Sequence, residues 1–156
     1  MALRNIRTEG DPILGKISKP ILEMTEKTKI LIEDMLETMY HANGVGLAAV
    51  QAGVLKRVVV IDVSEEGNSP IILINPEIID KSGSQTGDEG CLSVPGKSGV
   101  VTRAMKVKVK AFDENMKVFE LEGEGLLARA IQHEVDHLDG ILYTSKVEGK
   151  LNETED

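Results

Sequence analysis

The apolar positions of residues 25–44, "TEKTKILIEDMLETMYHANG", recur at three- and four-residue steps. Ile30, Leu31, Asp34, Met35, Thr38 and Met39 share one line, and its apolar members predict an amphipathic helix. Thr25 suits the N-cap, Glu26 the first turn, and Asn43-Gly44 the stop. Met35 and Met39 read as core fillers. "RVVVIDV" at 57–63 is β-branched and too continuous for a surface, which predicts a buried strand. "PIILINPEII" at 70–79 predicts another, interrupted at Asn75-Pro76. "VTRAMKVKVKAFD" at 101–113 alternates, with Val107, Val109 and Ala111 on one face and Lys106, Lys108 and Lys110 on the other. "DENM" reads as a turn into "KVFELEG" at 117–123, giving a hairpin. "EGLLARAIQHEVDHLDG" at 124–140 predicts a second helix, stopped by Gly140.

The stretch 1–24 is irregular, broken by "GDP" and "SKP". The order helix, strands, hairpin, helix predicts an α+β fold with antiparallel or mixed sheets, not a repeating βαβ pattern. The length of 156 residues suits a single domain, placed at 1–147, with a polar tail at 148–156 expected to fray. A domain of this size buries roughly 70% of its unfolded surface, so its core needs no staples. The chain has two Tyr, two Phe and no Trp, so that core must come from Ile, Leu, Val, Ala and Met.

A formal charge of −8 and the lack of a basic, aromatic-interleaved patch argue against nucleic-acid binding. The single cysteine excludes an internal disulfide framework and suits a reducing compartment. The start has no signal-peptide pattern, and no run of about 18 apolar residues predicts a membrane span. The expected address is the cytoplasm.

"QHEVDH" at 132–137 changes the picture. Residues four apart on a helix lie one above the other, so His133 and His137 can present two imidazoles to one ion. Glu134 lies about 100° around the helix, within reach of a water on that ion without binding the ion itself. Two nitrogens hold the metal and the carboxylate handles protons. A catalytic site wants a third protein ligand. Downstream, Gly140 is followed at the relevant spacing by Tyr143 rather than His, and the later acids lie in or near the tail. Upstream, the chemistry offers Cys91, in "GDEGCLSVPG"; a thiolate and two imidazoles suit a divalent transition metal.

Three stretches together resemble the signature motifs of peptide deformylase: "GVGLAAVQ" at 44–51, "EGCLS" at 89–93 and "QHEVDH" at 132–137. The resemblance runs from "GDPIL" near the start to "GILY" near the end. It implies a peptide deformylase-like fold, with the sheets packed around a metal-bearing C-terminal helix. It implies Cys91, His133 and His137 as ligands of one ferrous ion, Fe2+, for which Zn2+, Ni2+ or Co2+ can substitute. It implies Glu134 as acid/base, and Gln51 and the Leu92 backbone N–H as oxyanion donors. The implied reaction removes the N-formyl group from the initiator methionine of nascent polypeptides: metal-bound hydroxide attacks the formyl carbon and formate leaves.

By position, Val45, Leu126, Ala130 and the His133 ring are expected to wall the methionine pocket, and some of these also pack the core. Gly44 and Gly46 either end the first helix or let backbone approach a substrate that adds as a strand. Glu89 and Arg103 are either a supporting ion pair near the cysteine loop or a solvated surface pair. Two departures stand out. Lys97 and Ser98 occupy the stretch where many members carry a substrate-binding arginine, and Arg129 replaces an apolar residue, predicting a more cationic pocket rim. The tail "EGKLNETED" lacks the long basic helix with which some members dock on the ribosome, so that contact is not expected. A zinc peptidase acting on internal bonds and a non-catalytic metal or peptide binder are the competing readings.

Overall fold

The computed structural model describes residues 2–153. Its elements are helices α1 (Glu26–His41) and α2 (Leu126–Leu138) and eight strands. The strands are β1 (Gly46–Ala48), β2 (Val58–Ile61), β3 (Ile71–Ser82), β4 (Gln85–Cys91), β5 (Val94–Arg103), β6 (Lys106–Phe112), β7 (Val118–Glu124) and β8 (Glu148–Glu153). A five-stranded sheet runs β1-β2-β3-β6-β7 and a three-stranded sheet runs β4-β5-β8. Every pairing in both is antiparallel. Among the described residues no helix is long and apolar enough to cross a membrane.

The unbroken apolar run of β2 has a simple cause. Side chains alternate across a strand, and both faces of β2 are covered. Val59 and Ile61 join the core under α2, with Leu73, Val109, Ala128 and Ile131. Val58 and Val60 join the second core under α1, with Leu31, Met35 and Met39. Both methionines are fully buried core fillers. Helix α1 starts as its sequence predicts, with Thr25 Oγ1 accepting the Thr28 N–H at 3.2 Å. One stripe member differs: Ile30 is exposed and Ile32 is buried instead. β6 alternates as expected, with Val107, Val109 and Ala111 buried and its lysines outward.

Two predictions are corrected, and one strand was not foreseen. The strand predicted over 101–113 is two strands in different sheets, broken at Ala104-Met105. There the Gln132 side chain takes the place of a neighbouring strand: its Oε1 accepts the Ala104 N–H and its Nε2 donates to the Ala104 carbonyl, both at 3.1 Å. The tail expected to fray over 148–156 forms β8 over Glu148–Glu153, paired with β5; residues 154–156 lie outside the described ones. Its side chains are all exposed, so backbone pairing and not burial holds it. Finally β4, "QTGDEGC", has no apolar alternation to announce it and is defined by its hairpin with β5.

Candidate active site

Glu89 and Cys91 of β4 both reach α2, Glu89 through His133 and Arg129 and Cys91 through His137. The register shift between them marks a bulge, and β4 ends at Cys91. On α2, His133 and His137 stack one turn apart with ring centroids 5.0 Å from each other. The two elements bring three candidate ligand atoms, from Cys91, His133 and His137, within 4.8 Å of one another. Cys91 Sγ lies 3.3 Å from His137 Nε2. The other nitrogen of His133, Nδ1, is 2.8 Å from Glu89 Oε1, which fixes the ring and leaves Nε2 facing the thiol.

The electrostatics suit a cation. Burial alone would lower the His133 pKa, but its contacts with Cys91 and Glu89 carry it up to about 10. Burial, reinforced by the neighbouring His133, pushes His137 down to about 3 and keeps it neutral, the form that ligates metals. His137 Nδ1 and Glu134 Oε1 are buried without a hydrogen-bond partner among the described residues. Burial raises the Glu134 carboxyl to about 7. The donor set therefore fits a borderline-soft transition metal.

Gln51 is buried. It sits in a 3₁₀ turn, Ala49–Ala52, directly after β1. Its Oε1 accepts the Ala48 N–H at 2.9 Å, and its Nε2 donates to Ser93 Oγ at 3.0 Å with Cys91 Sγ 3.6 Å away. An N-terminal strap clamps both partners: the Arg7 N–H donates to the Gln51 carbonyl at 2.7 Å and the Glu9 N–H to the Ser93 carbonyl at 2.8 Å. Ser93 closes the "EGCLS" motif but had been given no role, and the strap lies outside the motifs.

A cleft of about 600 Å³ opens over these groups. Gly44, Val45, Gly46, Leu92, Leu126 and Ala130 all line it, together with Gln51, Cys91, His133 and Glu134. Val45 and Leu126 are about half exposed at its wall, whereas Ala130 is buried. At the two glycines a side chain would not fit. A Cβ on Gly46 would stand 2.5 Å from Glu134 Oε2, and one on Gly44 would stand 2.7 Å from Leu92 Cδ1. They make room for the site's own side chains.

Glu89 and Arg103 form a buried, bidentate pair at 2.8 and 2.9 Å, which removes the solvated alternative. Burial works against the Glu89 charge, but hydrogen bonds from Arg103 and His133 hold its carboxyl well below the usual range. Arg129 corrects the expected cationic rim: its side chain is turned inward onto Glu89 at 2.6 Å and is only 9% exposed. Lys97 lines the cleft and meets Glu9 at 3.4 Å, while Ser98 pairs with Asn152 of β8.

Residues 3–153 match the family model described as polypeptide deformylase. The chain belongs to the polypeptide deformylase family. A peptide deformylase of Lachnoclostridium phytofermentans is 70% identical over 153 residues, 98% of this chain and 94% of that protein. One from Agathobacter rectalis is 63% identical, over 98% of this chain and 95% of its own. Among solved structures, a peptide deformylase from Legionella pneumophila superposes with a TM-score of 0.90 at 47% identity, covering 94% of this chain and 86% of that one. One from Synechococcus elongatus in complex with actinonin gives 0.90 at 40% identity, covering 94% and 80%. The α+β architecture expected from the pattern is thus that of peptide deformylases.

Proposed function

We propose that this chain removes the N-formyl group from the initiator methionine of newly made polypeptides, releasing formate. Family membership supports the reaction class. The observation that carries the reading is the convergence of Cys91, His133 and His137 beside a buried Glu134 at the floor of an open cleft.

Those three residues would hold one ion, Fe2+ in our reading, with Zn2+, Ni2+ or Co2+ able to replace it. When bound, the metal supplies a Lewis acid and lowers the pKa of water near neutrality. Glu134 takes the proton from water as oxygen attacks the formyl carbon, and returns it to the departing amine nitrogen as the C–N bond breaks. Its carboxyl is suited to both tasks, because burial brings its pKa to about 7. Gln51 Nε2 and the Leu92 N–H are the donors assigned to the oxygen that becomes negative. Gly44, Val45 and Gly46 flank the substrate, and Leu126 and Ala130 meet the methionine side chain. The formylated nascent chain is the partner. The cytoplasm, where such chains are made, is the assigned location. Ribosome docking is not assigned.

The deciding experiment loads anaerobically purified protein with Fe2+ and supplies formyl-Met-Ala-Ser beside unformylated peptide. Formate release from the first alone is expected. Cleavage of an internal amide without formate would favour a peptidase, and no turnover at all would favour a binding module.

A further inference from the structure

The Glu89 carboxylate is fully subscribed. Its Oε2 accepts from Arg103 Nε at 2.8 Å and Arg129 Nη1 at 2.6 Å. Its Oε1 accepts from Arg103 Nη2 at 2.9 Å and contacts His133 Nδ1 at 2.8 Å. A carboxylate offers about four acceptor sites, so no lone pair is left over.

The two arginines are not equivalent. Arg103 is shared, because its Nη1 also donates to Asp136 at 2.7 Å. Arg129 gives its short ionic contact to Glu89 alone and spends its other donors on backbone carbonyls, Val101 at 3.1 Å and Gln85 at 3.5 Å. Arg129 also precedes His133 by one helical turn, so both project from one face of α2. Glu89 is therefore gripped on its two oxygens by two side chains of the helix that carries the ligands. The carbonyl of Val101 belongs to β5, and Gln85 and Glu89 to β4. The guanidinium thus ties the cysteine-bearing hairpin to the histidine-bearing helix at one point.

We propose that Arg129 is a positioning residue for the metal centre: by anchoring Glu89 Oε2 it holds Glu89 Oε1 where it orients the His133 ring. The proposal rests on the metal-centre reading above. An apolar residue at 129 would fill the same wall of the cleft but leave Oε2 with one donor, and the carboxylate could then pivot about Arg103. His133 would lose a fixed partner, and the ligand set would lose preorganisation.

The test is anaerobic titration of the metal-free chain with Co2+, followed by the thiolate charge-transfer and d–d absorption bands and by competition with a chelator. Arg129→Met is expected to bind Co2+ about tenfold more weakly, the lower end of what losing an outer partner of a ligating histidine costs, with altered d–d bands. Arg129→Lys restores one donor to Glu89 and is expected to come back to about threefold below the parent. Urea midpoints show whether each variant is folded. A folded Arg129→Met with parental affinity and bands would overturn the proposal, leaving Arg129 as a strap between hairpin and helix. If Arg129→Met does not fold, Arg129→Leu carries the test, and parental affinity and bands in that folded variant would be equally fatal. Failure of the metal-centre reading looks different: the parent itself would not bind Co2+, or Cys91→Ser would bind with an unchanged spectrum.

Discussion

Substituting Gly46 by alanine is the sharpest probe of the catalytic geometry. The added Cβ would stand 2.5 Å from Glu134 Oε2 and 3.0 Å from both Cγ and Cδ of that side chain. Ordinary carbon–oxygen contact begins near 3.4 Å, so the carboxylate must retreat by about 0.9 Å, or β1 must move by as much. β1 cannot yield freely: Gly46 is paired with Ile61 of β2, and its neighbour Leu47 is fully buried. The carboxylate therefore moves. Glu134 is itself only 4% exposed and cannot swing into solvent without leaving the site. A displacement of about 1 Å in a positioned group costs on the order of a hundredfold in rate, or about 2.7 kcal/mol of barrier. Overpacking should cost a further 1–3 kcal/mol, roughly, of stability. The assay is kcat and KM on a formyl-methionyl tripeptide with bound metal measured in the same samples. We expect kcat to fall by about two orders of magnitude while metal content stays near one per chain, since the three atoms nearest the new methyl group all belong to Glu134 and none to Cys91, His133 or His137. A folded Gly46→Ala enzyme with kcat within about threefold of the parent would refute the claim that the Glu134 position is critical.

Glu134→Gln should retain its metal and lose about 10²–10⁴-fold in kcat, because it keeps the shape and cannot move a proton; an empty site by metal analysis would make Glu134 a ligand instead. Glu89→Ala strands Arg103 and Arg129 in a buried site, which should cost about 3–5 kcal/mol and lower the melting temperature by roughly 6–20 °C. A fall of under about 2 °C in a thermal melt would mean that water replaces the carboxylate freely. Asp62 gives the acid dependence. Burial would raise its pKa, but the hydroxyls of Ser64 and Tyr40 and the Ser64 and Ser69 N–H groups outweigh burial and bring it to about 2. A depressed carboxyl contributes stability that is present above its unfolded value near 3.8 and is lost as pH falls through about 2. Metal-free parent and Asp62→Asn should therefore differ more in urea midpoint at about pH 6 than at about pH 3. An equal gap at both would sever Asp62 from acid unfolding.

Much of the fold was legible wherever burial leaves a period. The cap at Thr25, the two-sided burial of β2 and the alternation of β6 all follow from which faces are covered. What stayed hidden is held by backbone pairing or by single polar groups. β4 and β8 have almost no buried side chains, so no pattern marks them. The break at Ala104-Met105 depends on one amide, Gln132, reaching back from a helix 28 residues away. The H-E-x-x-H spacing pointed to the helical half of the site, and Cys91 came within the geometry expected of a third ligand. The inward turn of Arg129 was illegible because its partner Glu89 lies 40 residues away.

The amide of Gln51 illustrates how distant segments fix one atom. Its two ends look alike in shape but not in chemistry. The Ala48 N–H can only donate, so the end it meets at 2.9 Å must be the oxygen. The nitrogen is thereby forced toward Ser93 Oγ and Cys91 Sγ. A donor N–H is required on that side if Gln51 is to meet developing negative charge. The strap secures the arrangement from behind, because the N–H groups of Arg7 and Glu9 bind the carbonyls of Gln51 and Ser93. The strap joins the first of the three motif segments to the second, and Glu89 joins the second to the third through His133. Orientation at the reacting centre is thus supplied by bonds between segments, and a change at any of these joints should be felt in turnover as well as in stability.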